Sequence, residues 1–220
     1  MPHPTPSRPS VMLALLALLA GCAGPDPVAY KGLASASYLA PNRQDDADRI
    51  PYAYSTPVNW RSYSRAMVEP VTLYRGADNQ FGDLSEEDRA ELAHEMQAKF
   101  AKKLAGQFEI TDRPGPNTLR VKLTLTGAET NTPVISTFTH FDLAGSLYNG
   151  VQAIRGGEGM MSGSVNYAVE IYDTTTDRLL DAFVAKQYPG AYNVIATLGS
   201  LSAAETGLDK GADALLERMN

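Results

Sequence analysis

The sequence predicts an α+β domain in which a mainly antiparallel sheet has two helices packed on one face. Two segments carry apolar residues at every fourth position, which is typical of amphipathic helices. Two other segments alternate apolar and polar residues, which is typical of half-buried strands. Taken in chain order, the predicted elements are β-α-β-β-loop-β-β-α.

The first strand and the first helix begin the globular pattern. Residues 68–74 are rich in β-branched side chains, and Pro70 indicates an edge strand or a strand entry. Ser85 and Asp88 have the spacing of a capping box, and Gly106 is expected to end the helix in a left-handed conformation. One apolar stripe is expected along this helix, formed by Leu92, Met96, Phe100 and Leu104.

The remaining strands and the last helix are predicted from the same kinds of sequence pattern. A short strand is expected over residues 108–110, and residues 119–126 alternate as a strand with one wet face. Residues 165–185 predict a hairpin that turns at 173–177. A second capping box over residues 202–205 opens a terminal helix. The apolar side of this helix consists of Leu208, Ala212, Leu215 and Met219.

The loop over residues 131–160 has more apolar surface than an ordinary connection needs. Its four-residue spacing of apolar side chains favours an amphipathic helix that closes the core, although glycines interrupt it. The alternative is a binding or membrane-touching loop. In that case the possible interaction surface comprises Phe138, Phe141, Leu147, Tyr148 and Val151.

The N-terminal residues indicate where the protein is located. The apolar run Val11 to Ala20 is too short to span a bilayer, which needs about 20 residues. Its ending, Leu19-Ala20-Gly21-Cys22, resembles the bacterial lipoprotein signal, which implies cleavage between Gly21 and Cys22 and acylation, with palmitate, of this single cysteine. Ala23 after the cysteine favours the outer membrane, with the domain facing the periplasm.

Three regions follow from this signal. Residues 1–21 are the signal peptide, residues 22–60 are the lipidated N terminus, tether and lead-in, and residues 61–220 are a single α+β periplasmic domain. Aromatic residues within 52–63 are expected to pack locally on the domain, with a ligand cage as the alternative.

The net charge bears on partners. The chain carries −6, and loss of residues 1–21 removes one of its 19 basic residues and none of its 25 acidic ones, which gives −7. An acidic surface argues against a nucleic-acid partner and gives no polybasic attraction to anionic lipids. Membrane attachment is therefore expected through Cys22 alone.

The two histidines that remain after cleavage, His94 and His140, do not complete a catalytic or metal site. The segment from His94 to Ala98 begins like a zinc-protease helix but has alanine in place of the second histidine. His140 and Asp142 lie in an apolar stretch, without the G-x-S-x-G elbow that would supply an activated serine.

Two further motifs are also incomplete. The glycines at 156–159 lack the Lys-Ser/Thr ending of a phosphate-binding loop, and the acidic run at 45–48 lacks the glycine and the closing glutamate of a calcium loop. The sequence therefore predicts no enzyme activity, no metal and no cofactor.

Several segments of the mature chain carry a resemblance to a known family. They are Tyr38-Leu39-Ala40-Pro41, Tyr63 with Val68-Glu69-Pro70-Val71, Leu84-Ser85, Pro114-Gly115-Pro116 before Leu119-Arg120-Val121, the hairpin 173–180 and the terminal helix. With these segments the chain resembles the Gram-negative lipoproteins catalogued as domain of unknown function 3313. The hairpin has Thr176-Asp177 where a Thr-Gly pair is more typical. The family has no established activity, so the resemblance implies a role only for Cys22.

The sequence as a whole predicts an outer-membrane lipoprotein that acts as a non-enzymatic interaction module with an envelope protein partner. One alternative is a binder of a small envelope molecule, in a pocket beside residues 52–63. Another is a subunit of an envelope assembly or secretion complex, because the order of elements is similar to small periplasmic domains of such lipoproteins. The oligomeric state stays open.

Overall fold

The computed structural model describes residues 26–44, 46, 48–130, 163–189 and 201–220. Within these residues, eight strands form one sheet and two α-helices pack against it, which confirms the predicted α+β class. The strands are β1 (Ala40–Pro41), β2 (Tyr52–Ser55), β3 (Arg65–Val68), β4 (Thr72–Leu73), β5 (Glu109–Ile110), β6 (Thr118–Glu129), β7 (Ser164–Asp173) and β8 (Leu179–Gln187). The helices are α1 (Glu86–Leu104) and α2 (Ser202–Arg218).

The sheet is mainly antiparallel, as predicted. Its strand order is β1-β2-β8-β7-β6-β3-β5, and β4 also pairs with β6. The strands from β1 to β6 in this order are antiparallel to their neighbours, whereas β3 and β4 run parallel to β6, and β5 runs parallel to β3. The strand predicted over 68–74 is split into β3 and β4 around Pro70, because proline cannot donate a ladder hydrogen bond.

Helix α1 begins as predicted and ends differently. The Ser85 hydroxyl accepts a hydrogen bond from the Asp88 amide at 3.1 Å and donates to the Asp88 carboxylate at 2.7 Å, so the capping box is confirmed. All four residues of the predicted stripe are buried. The left-handed conformation expected for Gly106 is wrong. Instead, the Gly106 amide donates to the Lys103 carbonyl at 3.1 Å, so a tight right-handed turn ends the helix.

Helix α2 has the predicted apolar face but not the predicted cap. Its four predicted core residues are buried. Ser202 is the first helical residue, and Leu201 is at the N-cap with no side-chain hydrogen bond, so the second capping box is wrong. Because Leu201 is itself buried in the core, the chain enters the helix one residue before the predicted start.

The main core lies between the two helices and one face of the sheet. The apolar side chains of β6 and β7 that face the helices are fully buried. Phe100 of α1 meets the Tyr167 ring of β7 edge-on, with ring centroids 5.5 Å apart. Lys99 of α1 lies 2.9 Å from Asp209 of α2 and joins the exposed edges of the helices. Burial of each large apolar side chain contributes about 1.5–3 kcal/mol, so this face dominates stability.

Residues 26–39 form a strap across the opposite face of the sheet. Tyr30 is fully buried and packs with Ala168 of β7 and Val184 of β8. Val169, the neighbour of Ala168, lies in the main core, and successive side chains of a strand point to opposite faces. The strap therefore covers part of the face that the helices leave free.

Part of the predicted tether and lead-in, residues 22–60, is thus packed in the structure. The described part of this region contains β1 and β2, and β2 extends the sheet by pairing with β8. The buried hydrophobic side chains of the region are Tyr30, Leu33 and Ile50.

Candidate binding cleft

The strap leaves one end of its sheet face open. Lys122, Glu170 and Ala182 lie side by side across β6, β7 and β8, and Arg120 and Tyr172 form the next row. Lys122, Arg120 and Tyr172 of these rows line a cleft of about 580 Å³, and buried Glu170 lies beneath its floor. The cleft is lined by Ala34, Tyr38, Tyr54, Glu69, Arg120, Lys122, Tyr172, Asp177, Arg178 and Leu179.

Hydrogen bonds of the strap identify the end of the sheet at which the chain enters and the end that lies beside the cleft. At one end, Gln80 bridges to Gly127 of β6, and its side-chain amide donates to the Asp26 carbonyl at 2.8 Å. At the other end, the Ser35 amide donates to Glu170 beneath the cleft floor. A strand rises about 3.3 Å per residue, so the Gly127 position lies roughly 20 Å along β6 from the cleft. The chain therefore enters the domain far from the cleft.

A buried carboxylate fastens the strap to the sheet. Glu170 is 1% exposed, and its Oε1 accepts hydrogen bonds from the Ser35 amide at 2.6 Å and from the Tyr172 hydroxyl at 3.3 Å. Its Oε2 has no hydrogen-bond partner and lies 3.3 Å from the Lys122 ammonium, as an ion pair. The negative charge is compensated by a nearby cation and an amide dipole, which a buried carboxylate requires.

Arg120 forms part of the cleft wall and contacts two carboxylates. Its guanidinium lies 4.6 Å from the centre of the Tyr172 ring in a cation–π contact. The same group is 2.5 Å from Asp177 and 3.5 Å from Glu69. Asp177 has a φ of 55°, in the left-handed region, at the turn between β7 and β8. Glycine adopts this left-handed conformation readily, and here Asp177 instead supplies a carboxylate to the cleft.

Aromatic rings and hydroxyl groups complete the lining. The Tyr38 and Tyr54 rings are 5.1 Å apart, and Tyr38 is 53% exposed. Burial raises the pKa of the Tyr172 hydroxyl, and the neighbouring Glu170 raises this pKa further, so Tyr172 remains a hydrogen-bond donor at neutral pH. The cleft thus combines ring faces with closely spaced donors and acceptors, which suits binding of a polar ligand.

Residues 29–215 match the family model described as Protein of unknown function (DUF3313). The chain belongs to the DUF3313 family. The match begins within the strap and includes every residue that lines the cleft. No curated protein matches the chain.

Members of other families are similar to this DUF3313 chain only at the level of distant structural likeness. The PelC dodecamer from Paraburkholderia phytofirmans is 14% identical, with a TM-score of 0.38, over 72% of this chain and 90% of that one. Protein XCC0632 from Xanthomonas campestris is 8% identical, with a TM-score of 0.37, over 74% and 86%. The hypothetical protein CT253 from Chlamydia trachomatis is 12% identical, with a TM-score of 0.32, over 71% and 95%.

The predicted site residues of this DUF3313 chain fall in different places. Gly21 and Cys22 lie outside the described residues, as do the possible interaction surface within 131–160 and His140. His94 is exposed on α1. No three or more His, Cys, Asp or Glu side chains of the described residues are grouped so as to hold a metal ion. None of the helices described combines the length and the hydropathy that crossing a bilayer requires.

The alternative pocket beside residues 52–63 agrees with the cleft at one residue, Tyr54, and the rest of the lining is not found by sequence reasoning. Arg120 and Lys122 were expected only as the wet side of a strand, and Tyr54 as part of a locally packed aromatic cluster. One signal was available, since Glu170 is a carboxylate inside a strand in which six of the other nine residues are apolar or aromatic. A carboxylate in such a strand is usually paired, and the pairing indicates a polar site on that face.

Proposed function

We propose that this DUF3313 protein is a lipoprotein anchored in the outer membrane through acylated Cys22, with its domain facing the periplasm. Its domain acts as a non-enzymatic interaction module of the cell envelope and binds an envelope protein. The Leu19-Ala20-Gly21-Cys22 ending supports the anchor. The position at which the chain enters the sheet supports the orientation of the domain relative to the membrane.

The observation that carries this proposal is the short distance between the cysteine and the folded strap. Gln80 holds the carbonyl of Asp26, which is four residues after Cys22. An extended chain spans at most about 3.6 Å per residue, so the Gln80 end of the sheet stays within roughly 15 Å of the acylated sulfur. The anchor would therefore hold this end near the membrane and direct the cleft away from it.

The described residues that flank the predicted interaction segment lie at the Gln80 end of the sheet. Glu129 and Ser164, which flank residues 131–160 closely, are directly paired between β6 and β7. This pair lies two residues along β6 from Gly127, the residue that Gln80 contacts.

Site-specific photo-crosslinking in intact cells tests the partner. A photoreactive residue at Phe141 or Tyr148 is expected to capture an envelope protein, whereas the same residue at exposed Lys102 on α1 is not. If Phe141 and Tyr148 capture nothing while the protein is intact and membrane-bound, the proposed interaction surface is wrong. Capture of a component of an envelope assembly or secretion complex would identify the protein as a subunit of that complex.

Fluorescence quenching tests the orientation. A single cysteine is placed at exposed Asn79 or at exposed Thr176, labelled, and the lipidated protein is inserted into vesicles that contain nitroxide lipids. Quenching is expected at Asn79, near the anchor, and not at Thr176, in the turn beside the cleft. Equal quenching at the two positions would contradict the placement.

A second candidate function, favoured by the cleft, is binding of a small envelope molecule. The volume of the cleft lies within the ~300–1,000 Å³ typical of small-ligand sites. A ligand at about 100 times its dissociation constant stabilises the folded state by about 2.7 kcal/mol, which raises the melting temperature measurably. A screen of envelope metabolites that produces no such rise would exclude this function.

A further inference from the structure

We infer that the cleft binds a neutral, polyhydroxylated ligand, a short oligosaccharide, with a sugar ring stacked on Tyr38. The inference rests on the second candidate function above and names the ligand class for that same site. Three features of the cleft carry it: its charge balance, its exposed ring and its position on the sheet.

The charges of the cleft are balanced in number, and among the described residues all of them except Arg178 have an ion-pair partner. Its lining includes three cations and two carboxylates, and Glu170 adds a third carboxylate beneath the floor. Arg120 contacts Asp177 and Glu69, and Lys122 contacts Glu170. A phosphate that binds Arg120 or Lys122 would have to displace the carboxylates already paired with them, and a cationic ligand would have to displace these two side chains from the carboxylates. A neutral ligand does not meet this competition.

The exposed ring of Tyr38 provides an apolar surface that a sugar can contact and that a small ion does not use. Tyr38 is about half exposed and lies against Tyr54. A pyranose has an apolar C–H face that packs on an aromatic ring, while the hydroxyl groups at its edge both donate and accept hydrogen bonds. Paired carboxylate and guanidinium groups beside the ring offer acceptors and donors at short spacing, which matches vicinal hydroxyls.

The position of the cleft argues against an extended peptide. Peptides that bind by strand addition need a free sheet edge. The floor of this cleft is the middle of the sheet, where β6, β7 and β8 each pair on both sides. Recognition must therefore come from side chains, which again suits a ligand that presents hydroxyl groups.

Titration calorimetry of the folded domain, residues 22–220, with defined probes tests the inference. The neutral probes are maltotriose, cellotriose and triacetylchitotriose, and the charged probes are inorganic phosphate and spermidine. At least one neutral probe is expected to bind, and neither charged probe. If phosphate or spermidine binds and no neutral trisaccharide does, the ligand class is wrong while small-molecule binding stands. If none of the five probes binds, the inference is overturned.

Variants locate the binding in the cleft. Tyr38→Ala is expected to weaken sugar binding about tenfold, with an unchanged melting temperature, because the ring is half exposed. Tyr38→Phe keeps the ring and is expected to retain most of the affinity, and Lys102→Ala on the helix side is the surface control. Asp177→Gly suits the left-handed φ and leaves Arg120 with Glu69 as its one remaining carboxylate partner, so it should weaken sugar binding and introduce phosphate binding. Sugar binding that Tyr38→Ala and Asp177→Gly leave unchanged would overturn the assignment.

Discussion

Replacement of Glu170 tests how the strap is held on the sheet. Glu170→Ala removes the acceptor of the buried Ser35 amide and the partner of Lys122. Glu170→Gln keeps an oxygen that accepts from the Ser35 amide and removes only the charge. The two variants therefore separate the hydrogen bond from the electrostatic contribution.

The expected magnitudes follow from burial. A buried amide without an acceptor costs about 1–3 kcal/mol, and the alanine also leaves a small cavity, so Glu170→Ala should lower the free energy of unfolding by about 3 kcal/mol. The ion pair adds less than about 1 kcal/mol, because the Lys122 side chain is 31% exposed and water screens it. Glu170→Gln should therefore cost about 1–2 kcal/mol, since a charge-assisted bond becomes a neutral one.

Urea unfolding and amide hydrogen exchange measure these effects. In the wild type the Ser35 amide should be protected, and in Glu170→Ala it should exchange much faster than amides of β7. Glu91→Ala, at an exposed position on α1, is the control and should change stability by less than about 0.5 kcal/mol. A stability of Glu170→Ala equal to that of the control, with Ser35 still protected, would refute the role of Glu170 as the attachment of the strap.

Three further predictions concern the core, the C terminus and alkaline pH. Phe100→Ala should cost about 3–5 kcal/mol in urea unfolding, because it opens a cavity and removes the edge contact with Tyr167; a loss below about 1 kcal/mol would contradict this. Arg218→Ala leaves buried Asp181 without its two-point contact and should also lower the free energy of unfolding by about 3–5 kcal/mol. Arg218→Lys should restore only part of this stability. Equal stability of Arg218→Ala and wild type would contradict the prediction. Burial raises the pKa of Tyr30 to about 12, above the value of about 10 in the unfolded chain. The stability that the protonated hydroxyl contributes is therefore complete below pH ~10 and is lost as pH rises towards 12. The free energy of unfolding measured across this range should decline less in Tyr30→Phe than in wild type. An equal decline in the two proteins would contradict the burial argument.

The elements that were predicted correctly have local signals in the sequence. The stripe and the capping box of α1 each depend on residues three or four positions apart, and the alternation of β6 is set by neighbouring residues. The wet face predicted for β6 is wrong in part, because Thr124 and Thr126 on that face are buried. The start of α2 was predicted wrongly because burial of Leu201 in the core, a tertiary contact, overrides the local capping preference of Ser202.

The strap and the cleft depend on contacts between distant residues. Strands β1 and β2 have two and four residues, too few for a visible alternation. Ser35 and Glu170 are 135 positions apart, and the pairing of these two residues has no trace in either local sequence. A single sequence therefore reveals the sheet and the helices, but not which face the N-terminal residues cover or where the cover ends.

Metabolic labelling of Cys22 tests the central claim, that an acyl chain on this sulfur holds the domain at the membrane. Radiolabelled palmitate should enter the wild-type protein and not Cys22→Ser, and only the wild type should fractionate with the outer membrane. Absence of label from the wild type, or an unchanged fractionation of Cys22→Ser, would contradict the account.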